Sequence, residues 1–303
     1  MNAEFSIDRL YRAVAEKGNV CVGLDTLPEY VPEQSLRRIG GTGAVLQYNE
    51  AVVDATFDVC ACYKIQIACY EAQGLAGLDV YSKTLGYIKK RGGISIADIK
   101  RSDIADTAAQ YAKAHFSGDF EADIVTLNPY MGMDSIEPWL CESRKKKKGA
   151  FVLLRTSNKG YRDFEGQRTE TGRYLYELVG DRLLEVISNE TTNSPYGIFG
   201  LVVGAESKTG YEREQARVIR KKYGSLFFLI PGYGTQGGGA EEAALLLNSD
   251  KNGGVVNASR SILKSWCLSD DPKNAVIETA AESARNAVIA MRDAIFSAPT
   301  PVF

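Results

Sequence analysis

A chain of 303 residues, 45% hydrophobic and 24% charged, has enough apolar material for one large α/β domain or two ordinary ones. Its formal net charge of −2 gives no general attraction to nucleic acid or to a membrane surface, so an anionic ligand has to be held by local positive groups. No apolar run is long enough to span a bilayer, and the Met1 to Lys17 segment carries Glu4, Asp8, Arg9 and Glu16 where a signal peptide would be apolar. Cys21, Cys60, Cys62, Cys69, Cys141 and Cys267 form no CxxC pair. The first four lie in or near apolar runs and read as small core side chains in a reducing cytoplasm. The single histidine, His115, falls late in a predicted helix and is expected to be structural or at the surface. Without it there is no Ser-His-Asp triad, and a two-histidine metal site is impossible.

In chain order, residues 3–15 have helical spacing through Phe5, Leu10, Tyr11 and Val14. Val20 to Leu24 is a short buried strand that ends at Asp25. Leu46 to Phe57 reads as a helix, and Cys60 to Ile67 as a second strand with Lys64 inside it. Val80 to Arg91 is an amphipathic helix closed by Gly92 and Gly93. Ile94 to Ile99 is the third strand, and Ile104 to Phe116 is its helix. Asp123 to Leu127 forms a fourth strand, with a helix near Ser135 to Glu142. Lys145 to Lys148 reads as a solvated turn before the fifth strand, Gly149 to Leu154. A long polar stretch, Arg155 to Arg173, precedes the helix Tyr174 to Ser188. The pattern then repeats: strand Gly200 to Val203 and helix Glu212 to Tyr223, strand Leu226 to Ile230 and helix Ala240 to Leu247. A short eighth strand, Val255 to Asn257, precedes a long last helix, Asn274 to Phe296.

Eight strand-helix alternations favour a (β/α)8 TIM barrel over an open sheet. No interdomain linker or internal repeat is evident. The expectation is one barrel domain over residues 1–303, with an N-terminal helix and a long C-terminal helix.

In such a barrel the ends of the first three strands are neighbours. Asp25 closes the first, Lys64 lies on the second, and Asp98 and Lys100 close the third. Asp98 and Lys100 are two apart, so an extended backbone points them to one side, and Asp103 follows at the turn. Locally this could be a charged, solvated turn. Buried together in a barrel mouth, the four charges are expensive unless fully paired, which argues for a functional use over a structural ion-pair network. A second cluster follows strand seven. Pro231-Gly232-Tyr233-Gly234-Thr235-Gln236-Gly237-Gly238-Gly239 allows close approach of backbone N–H groups to a ligand, and a helix N-terminus comes next. Arg260 adds a fixed cation after strand eight. Loops after strands seven and eight of barrels commonly bind phosphate. The expected ligand is a phosphorylated small molecule with its reacting end near Lys64, Asp98 and Lys100.

Asp98-Ile99-Lys100-Arg101-Ser102-Asp103 resembles the D-x-K-x-x-D signature of the orotidine 5'-monophosphate decarboxylase family. Tyr63-Lys64-Ile65-Gln66 and the stretch Pro231 to Gly238 resemble that family too. Asn128-Pro129-Tyr130-Met131-Gly132 is similar to its longer subgroup. The matches run from Gly23-Leu24-Asp25 to Ser259-Arg260-Ser261 and cover most of the barrel. The resemblance implies decarboxylation of orotidine 5'-monophosphate to uridine 5'-monophosphate and CO2, the last step of de novo pyrimidine biosynthesis. It implies no cofactor and a cytoplasmic homodimer with shared active sites. Lys64, Asp98, Lys100 and Asp103 would form the charged catalytic network. Asp103 would come from the partner subunit, with Ile104 and Thr107 nearby on that partner. Asp25 would contact the ribose, Ser157 the pyrimidine, and Gln236 and Arg260 the phosphate. Asn128, Pro231 and Gly237 would also line the substrate site. The chain departs from the family pattern in its long polar segment Tyr161 to Arg173, and at Ser259, where a glycine is often found.

Two other readings compete. One is an aldolase-type barrel that uses Lys64 or Lys100 as a Schiff base, which flanking carboxylates disfavour by holding the amine protonated. The other is a non-catalytic sensor of nucleotide monophosphates.

Overall fold

Short runs of aliphatic residues alternate with amphipathic helices, and this alternation dictates strands covered on both faces. The computed structural model describes residues 4–205, 209–234 and 238–301. Among these residues eight parallel strands close into a barrel in sequential order. They are β1 (Val20–Gly23), β2 (Cys62–Gln66), β3 (Ser95–Arg101), β4 (Ile124–Leu127), β5 (Gly149–Arg155), β6 (Phe199–Val203), β7 (Phe228–Ile230) and β8 (Gly254–Ala258). β8 pairs with β1 through Val20–Val256 and Cys21–Asn257, so no sheet edge is left open.

The outer layer begins with α1 (Ser6–Lys17), followed by α2 (Glu33–Ile39) and α3 (Gly41–Thr56) between β1 and β2. Next come α4 (Ile67–Glu71), α5 (Gly74–Lys90), α6 (Ala105–Phe116), α7 (Glu137–Lys146), α8 (Leu175–Ile187) and α9 (Gly210–Lys222). The chain ends with α10 (Ala240–Ala244), α11 (Arg260–Leu263) and α12 (Ile277–Ser297). The expected fold class is therefore present, with a helix before β1 and a long one after β8. Helix α3 starts five positions earlier than its apolar periodicity suggests. Gly41, Thr42 and Gly43 are poor helix formers, but burial of Ala44 and Val45 carries the helix through them.

The barrel bottom is built for stability. Arg220 of α9 is fully buried and donates to the carbonyls of Leu246, Gly253, Tyr223 and Leu226, which ties α9 to the chain entering β7 and β8. Burial lowers its pKa to about 10, still high enough to keep the guanidinium charged at neutral pH. Of the four cysteines expected in the core, Cys21, Cys60 and Cys62 are buried, whereas Cys69 is only half-buried. His115 is buried between the rings of Phe120 and Trp139, a packing position away from the mouth.

The run of four lysines is not simply a solvated turn. Lys145 and Lys146 end α7, where cations suit the helix dipole. Lys147 is its left-handed cap, with φ +57°. Lys148 is buried, and its Nζ donates to Glu121 Oε1 at 2.9 Å.

Candidate active site

The C-terminal ends of β1, β2 and β3 carry the charges that local sequence places there, and barrel closure brings them into contact. Lys64 sits in the middle of β2 with its side chain only 5% exposed. Its Nζ donates to Asp25 Oδ1 at 2.9 Å and to Asp98 Oδ2 at 3.1 Å. Lys100 Nζ donates to Asp98 Oδ1 at 2.6 Å. Asp25, Lys64, Asp98 and Lys100 thus form one line of alternating charge. The line is buried at Lys64 and Asp98 and opens to solvent at Lys100, whose side chain is 46% exposed.

The geometry of β3 differs from plain alternation. Ala97 pairs with Val125 and Arg101 with Leu127, so residues 98–100 of β3 all face the single residue Thr126 of β4. Lys100 takes φ +43° within this bulge. The bulge, rather than a plain two-residue period, brings Lys100 to Asp98.

Asp98 is stabilised as a carboxylate. Burial alone would raise its pKa, but the ammonium groups of Lys64 and Lys100, with hydrogen bonds from Lys100 and Thr126, hold it well below the usual carboxylate range. Gln66 Nε2 also donates to Asp98 Oδ2, at 3.1 Å. For Lys64, burial would lower the pKa, but Asp25 and Asp98 more than offset this and hold it above the ordinary lysine value. The Asp25 end is closed by Ser259, whose Oγ donates to Asp25 Oδ2 at 2.7 Å. Gly23 makes room for this contact, because a Cβ there would lie 1.9 Å from Ser259 Oγ.

These residues line a cavity of about 470 Å³ at the barrel mouth. Asp25, Lys64, Asp98, Lys100, Ser157, Pro231 and Arg260 all border it, as expected. Asn128 instead borders an adjoining, more apolar cavity of about 1220 Å³ with Tyr130, Met133 and Phe164. Lys100 and Asn158 lie on both. Asp103, Ile104 and Thr107 border neither cavity of the same chain. They lie at the start of α6, where Asp103 Oδ1 accepts from the Ile104 N–H and Ile104 is 47% exposed. Gln236 and Gly237 lie outside the described residues.

At the start of the helix after the β7 loop, one N–H is already taken. Helix α10 has only five residues, and the carboxylate of Glu242 accepts the N–H of Gly239 at its start. Arg260, at the start of α11, is the cation at this end of the cavity.

Sequence reasoning did not assign Thr126, Gln66 or Tyr30, all of which border the cavity. Thr126 was legible as the one hydroxyl in the buried run Ile124 to Leu127. Gln66 was legible as two positions beyond Lys64, on the same face of β2. Tyr30 lies in a helical turn after β1 and carries no comparable local signal. Among the described residues no group of three or more His, Cys, Asp or Glu side chains is placed to hold a metal ion.

The model of the "Orotidine 5'-phosphate decarboxylase / HUMPS family" matches residues 18–278, which include all eight strands. The chain belongs to this family. An orotidine 5'-phosphate decarboxylase of Clostridium novyi is 52% identical over 261 residues, covering 86% of this chain and 89% of that one. The Clostridium acetobutylicum protein of the same name is 48% identical over 290 residues, covering 95% and 98%. Among solved structures, the OMP decarboxylase of Leishmania donovani superposes with a TM-score of 0.71 at 29% identity, covering 95% of this chain and 99% of that one.

Proposed function

We propose that this chain decarboxylates orotidine 5'-monophosphate to uridine 5'-monophosphate and CO2. The observation that carries the reading is the line Asp25–Lys64–Asp98–Lys100 at the mouth of a family barrel. The phosphate lies at Arg260, the ribose at Asp25 and the pyrimidine at Ser157, with Pro231, Gln236, Gly237 and Asn128 completing the substrate site. The substrate carboxylate then faces Asp98. The bond from ring carbon to carboxylate breaks, its electron pair stays on the ring carbon, and the Lys100 ammonium gives that carbon a proton. Two like charges about 4 Å apart at an effective dielectric of about 20 repel by roughly 4 kcal/mol. Relief of that repulsion in the transition state is worth about three powers of ten in rate. The grip on the phosphate supplies binding energy remote from the reacting carbon.

The reaction needs no metal or organic cofactor in this reading, since the network supplies the charge and the proton. The active enzyme is a homodimer in which Asp103, with Ile104 and Thr107, completes the partner's site. The exposure of Ile104 and Thr107 at the start of α6, with half-buried Asp103 just before it, supports this. Six unpaired cysteines suit the reducing cytoplasm. The raised pKa of Lys64 counts against a Schiff-base mechanism, which needs a neutral amine.

The test is the loss of orotidine 5'-monophosphate absorbance on adding purified protein, with and without exhaustive EDTA treatment. Equal turnover in both is expected. No turnover would overturn the decarboxylase assignment, and turnover restored only by a divalent metal would overturn cofactor independence.

A further inference from the structure

The bulge in β3 has a single hinge point on its neighbour. Thr126 of β4 is fully buried, and its hydroxyl makes three hydrogen bonds into the bulge. The N–H groups of Ile99 and Lys100 both donate to Thr126 Oγ1, each at 3.0 Å. Both lone pairs are then taken, and the one hydroxyl proton goes to Asp98 Oδ1 at 2.8 Å. That is the same oxygen that accepts from Lys100 Nζ. One side chain therefore fixes the backbone that turns Lys100 through φ +43° and also orients the carboxylate that Lys100 meets. A non-glycine residue at positive φ is held there only where its surroundings over-determine it. Two amides converging on one oxygen supply that constraint. Valine has the same shape but would leave the buried Ile99 amide and the part-buried Lys100 amide without that acceptor, and Asp98 without one of its four donors.

We propose that Thr126 is a positioning residue for decarboxylation, setting the Asp98–Lys100 geometry through its hydroxyl. The proposal rests on the decarboxylase reading given above.

The test uses three variants of the full chain, each checked for folding by circular dichroism and thermal melting. Thr126→Val keeps volume and loses the hydroxyl, Thr126→Ser keeps the hydroxyl and loses the methyl, and Thr126→Ala loses both. For Val and Ala, kcat is expected to fall about tenfold to a hundredfold, as loss of a hydrogen bond to a charged group predicts. The serine variant is expected to stay near wild type, and KM to change little in all three, because the phosphate grip is untouched. A packing role predicts the opposite ranking, with Val fast and Ser and Ala slow, and that result would overturn the proposal. If the valine chain does not fold, Ser and Ala still differ only in the hydroxyl, and equal kcat values for them would overturn it. An inactive wild type would overturn both this proposal and the decarboxylase reading, whereas an active wild type with the packing ranking would overturn only this one.

Discussion

At the residue scale, Asp98 shows why a buried carboxylate can be kept ionised. Its two oxygens accept from Lys64, Gln66, Lys100 and Thr126, so removing the charge would strand four donors. Lys100 is the most exposed member of the line, which suits a proton donor to bound substrate. Lys100→Ala is expected to lower kcat by about 10²–10⁴ or more while leaving affinity for uridine 5'-monophosphate nearly unchanged. Near-normal turnover in a rapid-quench assay would remove Lys100 from the mechanism. Arg260→Ala should raise KM for the nucleotide substrate yet hardly affect orotidine, which has no phosphate to hold. An equal loss with both would mean that Arg260 has another job. His115 gives a pH prediction of a different kind. Burial, with a smaller push from the Arg101 cation, lowers its pKa to about 4. The unfolded chain, with an ordinary histidine, therefore binds a proton first as pH falls below about 6.5. Folding stability should decline from there and level off below about pH 4, with about 2 kcal/mol lost by pH 5 from this group. His115→Phe should remove that part of the slope in urea titrations. A gap between variant and wild type that is the same at pH 7 and pH 5 would show that His115 is not its source.

At the element scale, helix contacts rest on residues whose small size no periodicity explains. Gly180 of α8 faces Tyr223 at the end of α9, and a Cβ there would lie 2.4 Å from Tyr223 Cζ. The tyrosine cannot easily withdraw, because its single hydroxyl proton is shared between Asp181 Oδ1 at 2.9 Å and the Glu177 carbonyl oxygen at 3.1 Å. Gly180→Ala should destabilise the fold by about 1–3 kcal/mol, as overpacking does, despite alanine's better helix propensity. A raised melting temperature would show that α8 can shift without loss. Strand β3 makes a related point. Its apolar start and charged end were legible from the sequence, but its bulge was not, because a bulge is a mismatch between two strands. The long polar stretch after β5 is mostly irregular, with one short helical turn at Lys159–Asp163. It nevertheless folds back on itself at the Arg168–Tyr174 bridge, and Glu165 accepts from the Thr156 N–H at 2.7 Å beside the cavity.

At the scale of the whole molecule, one chain assembles Asp25, Lys64, Asp98 and Lys100 but leaves Asp103 on the outer start of α6. A two-fold dimer would bring Asp103 to the neighbouring mouth. The test is to mix inactive Lys100→Ala and Asp103→Ala proteins, dissociate them and let them reassociate. In each mixed dimer one mouth inherits both defects and the other inherits neither. Random pairing makes about half the dimers mixed, so activity should recover toward about a quarter of the wild-type value. Verified mixed dimers with no activity would place both residues in one chain's site.

The alternation of eight short apolar strands with amphipathic helices is a local property of the chain, and it determined the barrel before any contact was known. Charge at the strand ends determined in the same way where the chemistry lies, since barrel closure makes the ends of β1, β2 and β3 neighbours whatever their exact register. Only the tertiary structure decided how those charges are held. Thr126, Gln66 and Ser259 each donate to a carboxylate that comes from a different strand end. Such bonds depend on cross-strand register to within a residue, and that register is set by pairing around the closed barrel, which no stretch of sequence specifies alone.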